Sequence, residues 1–132
     1  MEAKIVLDTT ILIDFLRNTE YAISKIEKLS QDNELFTTDI NIFELYYGAY
    51  IAKDSLENVA SIKGLIDTLT ILNTDADSME IAGKLLAELA KKGNLIEFRD
   101  ALIAGICLKN SLPIITANKK DFEKTGVKII EA

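Results

Sequence analysis

The chain has 132 residues, 48% apolar and 27% charged, with a net charge of −6; this fits one globular domain over 1–132 with its own core and excludes a disordered chain. It has no histidine and a single cysteine, Cys107, which excludes a Ser-His-Asp triad, a histidine base, histidine-held zinc and an intrachain disulfide, and fits a reducing compartment. No apolar run nears the roughly 20 residues of a membrane span, and Met1 to Leu7 lacks a signal-peptide pattern, so the expectation is a cytoplasmic protein with no membrane partner.

Ile5-Val6-Leu7, closed by Asp8, predicts a buried first strand. A short helix over Ile11 to Leu16 follows, capped by Asp8, Thr9 or Thr10. Tyr21 to Ser30 carries apolar residues at helical spacing, and Leu35 to Thr38 reads as a second strand. Asp39 is a candidate cap for a helix over Ile40 to Ala52, and a further helix covers Leu56 to Leu69 with Gly64 inside it. Leu69 to Leu72 reads as a third strand, and Asp75 or Asp77 caps a helix stopped by Gly93. Phe98 to Leu108 is a helix apolar nearly all round, which predicts a central position. Pro113 to Thr116 and Val127 to Ile130 complete a set of five strands. Alternating strands and helices predict an α/β sandwich with a mostly parallel sheet. Ligands of such folds sit at the carboxyl ends of the strands, which directs attention to Asp8 and to the residues after Thr116.

Three acids stand inside apolar runs: Asp8, Glu44 and Asp100. An unpaired ionised carboxylate loses its hydration on burial, so such positions need a reason. If they converge, carboxylates about 4 Å apart repel by roughly 4 kcal/mol at an effective dielectric near 20. Raised pKa values or a divalent cation would relieve that repulsion, and without histidine the donors are oxygens, which favours magnesium or manganese. Arg99, next in sequence to Asp100, projects about 100° away around the helix and reads as pointing off. Asp14 is a weaker candidate, on the short first helix. Cys107 reads as a small buried hydrophobe, Tyr46, Tyr47 and Tyr50 as core or subunit interface, and Gly48 and Gly105 as points of close helix packing. Residues 1–88 carry a net charge of −9 and residues 89–132 a net charge of +3. That balance argues against non-specific nucleic-acid binding but leaves room for a local phosphate-binding rim at Lys119 and Lys120.

Four segments, in order, resemble the motifs of PIN-domain ribonucleases. They are Asp8-Thr9-Thr10 after the first strand; Thr38-Asp39-Ile40 to Glu44-Leu45 and Gly48; Asp100-Ala101-Leu102-Ile103-Ala104; and Ile115-Thr116-Ala117-Asn118 to Phe122. The size and motif set are similar to the VapC toxins of prokaryotic toxin–antitoxin pairs. The resemblance implies a three-layer α/β/α sandwich and a Mg2+- or Mn2+-dependent endoribonuclease that cuts single-stranded or loop RNA. In that reading Asp8 and Asp100 are the principal metal ligands, Glu44 completes the cluster, and Thr10 brings a hydroxyl to it. The family's fourth acidic position matches Asn118, a departure that favours one metal ion; Asp121 takes over that role or caps the next turn. The family also implies a homodimer and a VapB-type antitoxin whose tail enters the acidic site. A basic tail suits an acidic pocket.

Two other readings are open at this point. Asn118 is compatible with a PIN-fold module that binds RNA or a partner without cutting. The run Pro113 to Ala117 is also compatible with a phospho-receiver domain, although no strand-end acid stands at Leu72-Asn73-Thr74.

Overall fold

β-Branched and apolar residues in short runs, separated by longer helical repeats, build a parallel sheet covered on both faces. The computed structural model describes residues 3–130; the outermost residues of the 1–132 span lie outside the described part. In chain order the elements are β1 (Ala3–Leu7), α1 (Thr9–Leu16), α2 (Glu20–Asp32), β2 (Asn33–Thr38), α3 (Asp39–Ile51), α4 (Ser55–Ile66), β3 (Thr70–Leu72), α5 (Ala76–Lys91), α6 (Phe98–Asn110), β4 (Ile114–Ile115) and α7 (Lys119–Glu123). The sheet order is β3-β2-β1-β4, with every pairing parallel. Receiver domains have the order 2-1-3-4-5, so the phospho-receiver reading does not hold.

Alternation along the strands divides the core. Ile5, Leu7, Leu35 and Ile115 face one side, where Leu12, Ile26, Leu45 and Ile62 of α1 to α4 pack on them. Val6, Phe36 and Ile114 face the other side, against Ile103, Ala104 and Cys107 of α6 and Phe122 of α7. The result is the expected three layers. Each fully buried Leu or Ile contributes about 1.5–3 kcal/mol through apolar area removed from water. Cys107 is fully buried among apolar neighbours, and burial pushes its thiol up to about 12, so it behaves as a small hydrophobe. No helix among the described residues is long and apolar enough to cross a membrane.

Four strands are described where five were expected. Val127 to Ile130 meets the sheet at one parallel bridge, Ile114 to Ile129, with Ile114 N–H donating to the Lys128 carbonyl at 2.9 Å. β4 is only Ile114–Ile115, too short a template for a longer ladder. The helix caps also differ in part from expectation. Asp8 caps α1 by accepting from the Thr9 amide, and Asp75 caps α5 by accepting from the Ser78 amide. The cap of α3 is Thr38 rather than Asp39, with Asn41 closing the reciprocal bond. Asp39 instead accepts from the amide (2.9 Å) and hydroxyl (3.0 Å) of Thr74, tying the chain after β3 to the start of α3.

Gly48 and Gly105, both read as points of close helix packing, part company. A Cβ on Gly105 would stand 2.5 Å from the Ser78 carbonyl oxygen and 3.0 Å from the Ala82 Cβ, so α5 and α6 touch backbone to backbone there. A Cβ on Gly48 would meet nothing within 4 Å, so close packing is not its reason. Tyr47 and Tyr50 are exposed, whereas Tyr46 packs at the edge of the α1–α4 core. Gly105→Ala is therefore expected to destabilise the fold by about 1–3 kcal/mol in chemical denaturation through overpacking. Gly48→Ala is expected to be neutral or stabilising by up to about 1 kcal/mol, from helix propensity alone.

Candidate active site

Parallel pairing brings the carboxyl ends of β1, β2 and β4 to one edge of the sheet, where the buried polar side chains gather. Asp8 closes β1 and is 3% exposed. Its Oδ1 accepts from the Thr9 amide and from Asn41 Nδ2, both at 2.8 Å. Its Oδ2 accepts from the Thr116 hydroxyl, just past β4, at 2.7 Å. The Thr116 hydroxyl in turn accepts from the Asn118 amide at 3.0 Å.

Glu44 and Asp100 arrive on helices. Glu44 lies one turn after Asn41 on α3, which aims both at the same edge. Its Oε1 accepts from the Thr9 hydroxyl at 2.6 Å. Asp100 lies in the first turn of α6 and is fully buried. Its Oδ2 accepts from Asn118 Nδ2 at 2.6 Å, and that amide also reaches Asp121 Oδ2 at 3.2 Å. Asp121, on α7, has Lys124 Nζ 3.6 Å away.

Arg99 lies at the centre of this group, contrary to the reading that it points off. Its long side chain turns back across the helix end, which the angle at its Cα does not prevent. Nε donates to Glu44 Oε2 at 2.9 Å, NH1 to Asp100 Oδ1 at 2.6 Å, and NH2 to Asp8 Oδ1 at 2.8 Å and Glu44 Oε1 at 2.5 Å. NH2 also reaches the Thr9 hydroxyl at 3.3 Å. The guanidinium fork thus joins carboxylates from the residue that follows β1, from α3 and from α6.

The charge states follow from this arrangement. Burial alone would raise the Asp8 pKa, but Arg99, Thr116 and the Thr9 amide together hold it below the ordinary carboxylate value. Asp100 lies above its ordinary value, because burial and the charges of Asp8 and Asp121 outweigh the help from Arg99. Burial works against the Arg99 cation, but its bonds to Glu44, Asp8 and Asp100 raise its pKa further and keep it charged.

Asp8, Glu44, Asp100, Asn118 and Asp121 therefore form one connected cluster. Thr10 is exposed, and the hydroxyl that bonds into the cluster is that of Thr9. Lys120 is exposed and Lys119 half-buried at the start of α7, next to Asn118. Asp14 is half-buried on α1 and is not among the residues bonded within the cluster. Sequence reasoning gave no place in the cluster to Asn41, Thr9 or Arg99. The available signal for Asn41 was its spacing, three residues before Glu44 on the same helix face, and it went unused.

The donors around the cluster are carboxylate, amide and hydroxyl oxygens, the chemistry of a hard divalent cation. Four carboxylates face Arg99 and the Lys124 ammonium, which leaves the cluster net negative and suited to a further cation. Among the described residues no three acidic side chains yet form a ready cage, because they are arranged around the guanidinium. A groove of about 200 Å³ opens beside Glu44, lined by Ile13, Leu16, Leu45, Ala49 and Ile62. A larger cleft of about 620 Å³, between α2 and the starts of β2 and β3, contains none of the clustered acids.

Comparison with known proteins agrees with this fold. The family described as PIN domain matches residues 5–128. The chain is 31% identical to the tRNA(fMet)-specific endonuclease VapC of Shigella flexneri, over 93% of this chain and 92% of that one. Its fold superposes on the DNA-bound VapBC structure from Salmonella typhimurium with a TM-score of 0.88, at 30% identity and 98% coverage of both chains. The DNA-bound VapBC2 structure from Rickettsia felis gives a TM-score of 0.89 at 24% identity, again covering 98% of both chains, and shows the shared fold. With its parallel sheet, its acids at the carboxyl edge and this match over nearly its whole length, the chain belongs to the PIN-domain family, among the VapC ribonucleases.

Proposed function

We propose that this chain, as one domain over 1–132, is a metal-dependent endoribonuclease and the toxin of a toxin–antitoxin pair. The observation that carries the reading is the convergence of Asp8, Glu44 and Asp100 from β1, α3 and α6 at the carboxyl edge of the sheet. The relatives' names support RNA as the substrate, and the VapBC complexes support a VapB-type antitoxin as partner. The groove beside Glu44 is an apolar seat from which an antitoxin tail can reach the acids. The exposed Phe43 and Tyr47 rings, stacked with centroids 6.2 Å apart on α3, support a homodimer. We place its action in the cytoplasm, where cellular RNA is its target.

Asp8 and Asp100 would hold Mg2+ or Mn2+, with Glu44 and Asp121 as further oxygen donors. An ion there would stabilise charge on the phosphoryl group in the transition state and lower the pKa of a water. The chain's own contribution is order. Thr116, Asn41 and the Thr9 amide hold both oxygens of Asp8 in fixed directions. The Thr9 hydroxyl orients Glu44, and the Asn118 amide spans Asp100 and Asp121. Asn118 thus fills the fourth family position as a donor that brings no charge. Lys119 and Lys120 add positive charge beside it for the RNA backbone. In hydrolysis a water oxygen bonds to phosphorus and the bond from phosphorus to the departing sugar oxygen breaks; that oxygen then takes a proton.

Total cellular RNA, incubated with the protein in Mg2+, Mn2+ or chelator and mapped by 5′-end sequencing, tests the reading. Discrete ends are expected with metal and not with chelator. Asp8→Asn and Asp100→Asn are expected to lower cleavage by at least about a hundredfold, since each removes a ligand charge, while both variants still fold. Full activity in either variant, or in chelator, would sink the proposal. Metal binding with no cleavage of any RNA would favour the binding-module reading that Asn118 permits.

The hydroxyl role is tested separately. Thr9→Ala is expected to lower cleavage by about tenfold to a hundredfold, the usual effect of losing an orienting bond, with Thr9→Ser restoring it. Thr10→Ala should cost less, and the reverse order would return the role to Thr10.

A further inference from the structure

We propose that Arg99 is a tethered cation that fills the acidic site until a divalent ion displaces it. The inference rests on the metal-dependent reading above and adds how the ion gains entry. The three carboxylates that Arg99 joins are Asp8, Asp100 and Glu44, the same groups that would hold or surround the ion. The guanidinium and a divalent ion cannot both take these oxygens, since two cations so close repel strongly in a partly buried site. Binding is therefore an exchange of one cation for another.

The geometry allows the exchange. The Arg99 side chain is 24% exposed, while Asp100, to which it is bonded, is fully buried. It springs from the first turn of α6, next to Glu97 and Phe98, both exposed. Its flexible stem can carry the head outward without moving the helix. An arginine suits the task better than a lysine, because its fork spreads five donors over several carboxylates at once. With Arg99 in place the buried aspartates are paired and the fold does not depend on the ion. Its presence also weakens the ion's hold, because the ion must first break these bonds.

The test uses the whole chain and Mn2+ or Mg2+ alone. Mn2+ affinity is measured by calorimetry on the wild type, Arg99→Gln and Arg99→Lys. Arg99→Gln is expected to bind at least about tenfold more tightly, and Arg99→Lys to fall between the two. The second measurement needs no variant. The chain has two arginines, Arg17 and Arg99. In 15N-labelled protein the Arg99 Nε–H signal, bonded to Glu44, is expected to move or broaden on Mg2+ saturation while that of Arg17 stays. This decides the matter if Arg99→Gln does not fold. Mn2+ affinity that is weaker in Arg99→Gln or within about twofold of wild type, or an Arg99 signal unchanged at saturating Mg2+, overturns the exchange and leaves the metal-dependent reading standing. No ion binding to either the wild type or Arg99→Gln overturns that reading itself.

Discussion

Burying two aspartates at one edge of a sheet is the constraint on which the rest of the site depends. Asp8 and Asp100 have almost no contact with solvent. An ionised carboxylate in that position loses its hydration, and two of them repel each other as well. The structure answers with donors on every side. Asp8 receives the Thr9 amide, Asn41, Thr116 and Arg99; Asp100 receives Arg99 and Asn118. Removing one partner from such a set leaves a buried acceptor unmatched, at a cost of about 1–3 kcal/mol or more for a charged group.

These donors come from elements far apart in the chain, so the fold has to deliver them. The parallel sheet does so by putting the carboxyl ends of β1, β2 and β4 side by side. Thr37, fully buried in β2, donates its hydroxyl to the Leu7 carbonyl at 2.9 Å and braces the strand that ends in Asp8. The Thr38–Asn41 box starts α3 at the same edge and fixes Asn41 as donor to Asp8. Three residues later Glu44 follows from helical spacing alone.

The placement of α6 depends on a different device. Its fully buried face packs on the sheet, and Gly105 lets α5 approach backbone to backbone on another side. A helix held from two directions keeps its first turn, and so Asp100, in register with β1. The same first turn carries Arg99 and exposes Phe98 to solvent. An exposed Phe98, a partly exposed Arg99 and a fully buried Asp100 thus follow one another in three residues.

Much of this was legible from the residues alone. Apolar runs closed by Asp8 and Thr116, and helical spacing through Ile40 to Ala52 and Phe98 to Leu108, pointed to a mostly parallel α/β sheet with acids at its carboxyl edge. Local periodicity and strand-end position are properties of neighbouring residues, so they can be read without coordinates. Tertiary structure alone decided which hydroxyl enters the cluster, because Thr9 and Thr10 differ only in the direction the first turn of α1 gives them. It also decided that Thr38 rather than Asp39 caps α3, and that the final apolar run joins the sheet by a single bridge. Above all it decided the place of Arg99. A long side chain goes where charge calls it, and the charges that call this one come from residues 91 and 55 positions away in the chain.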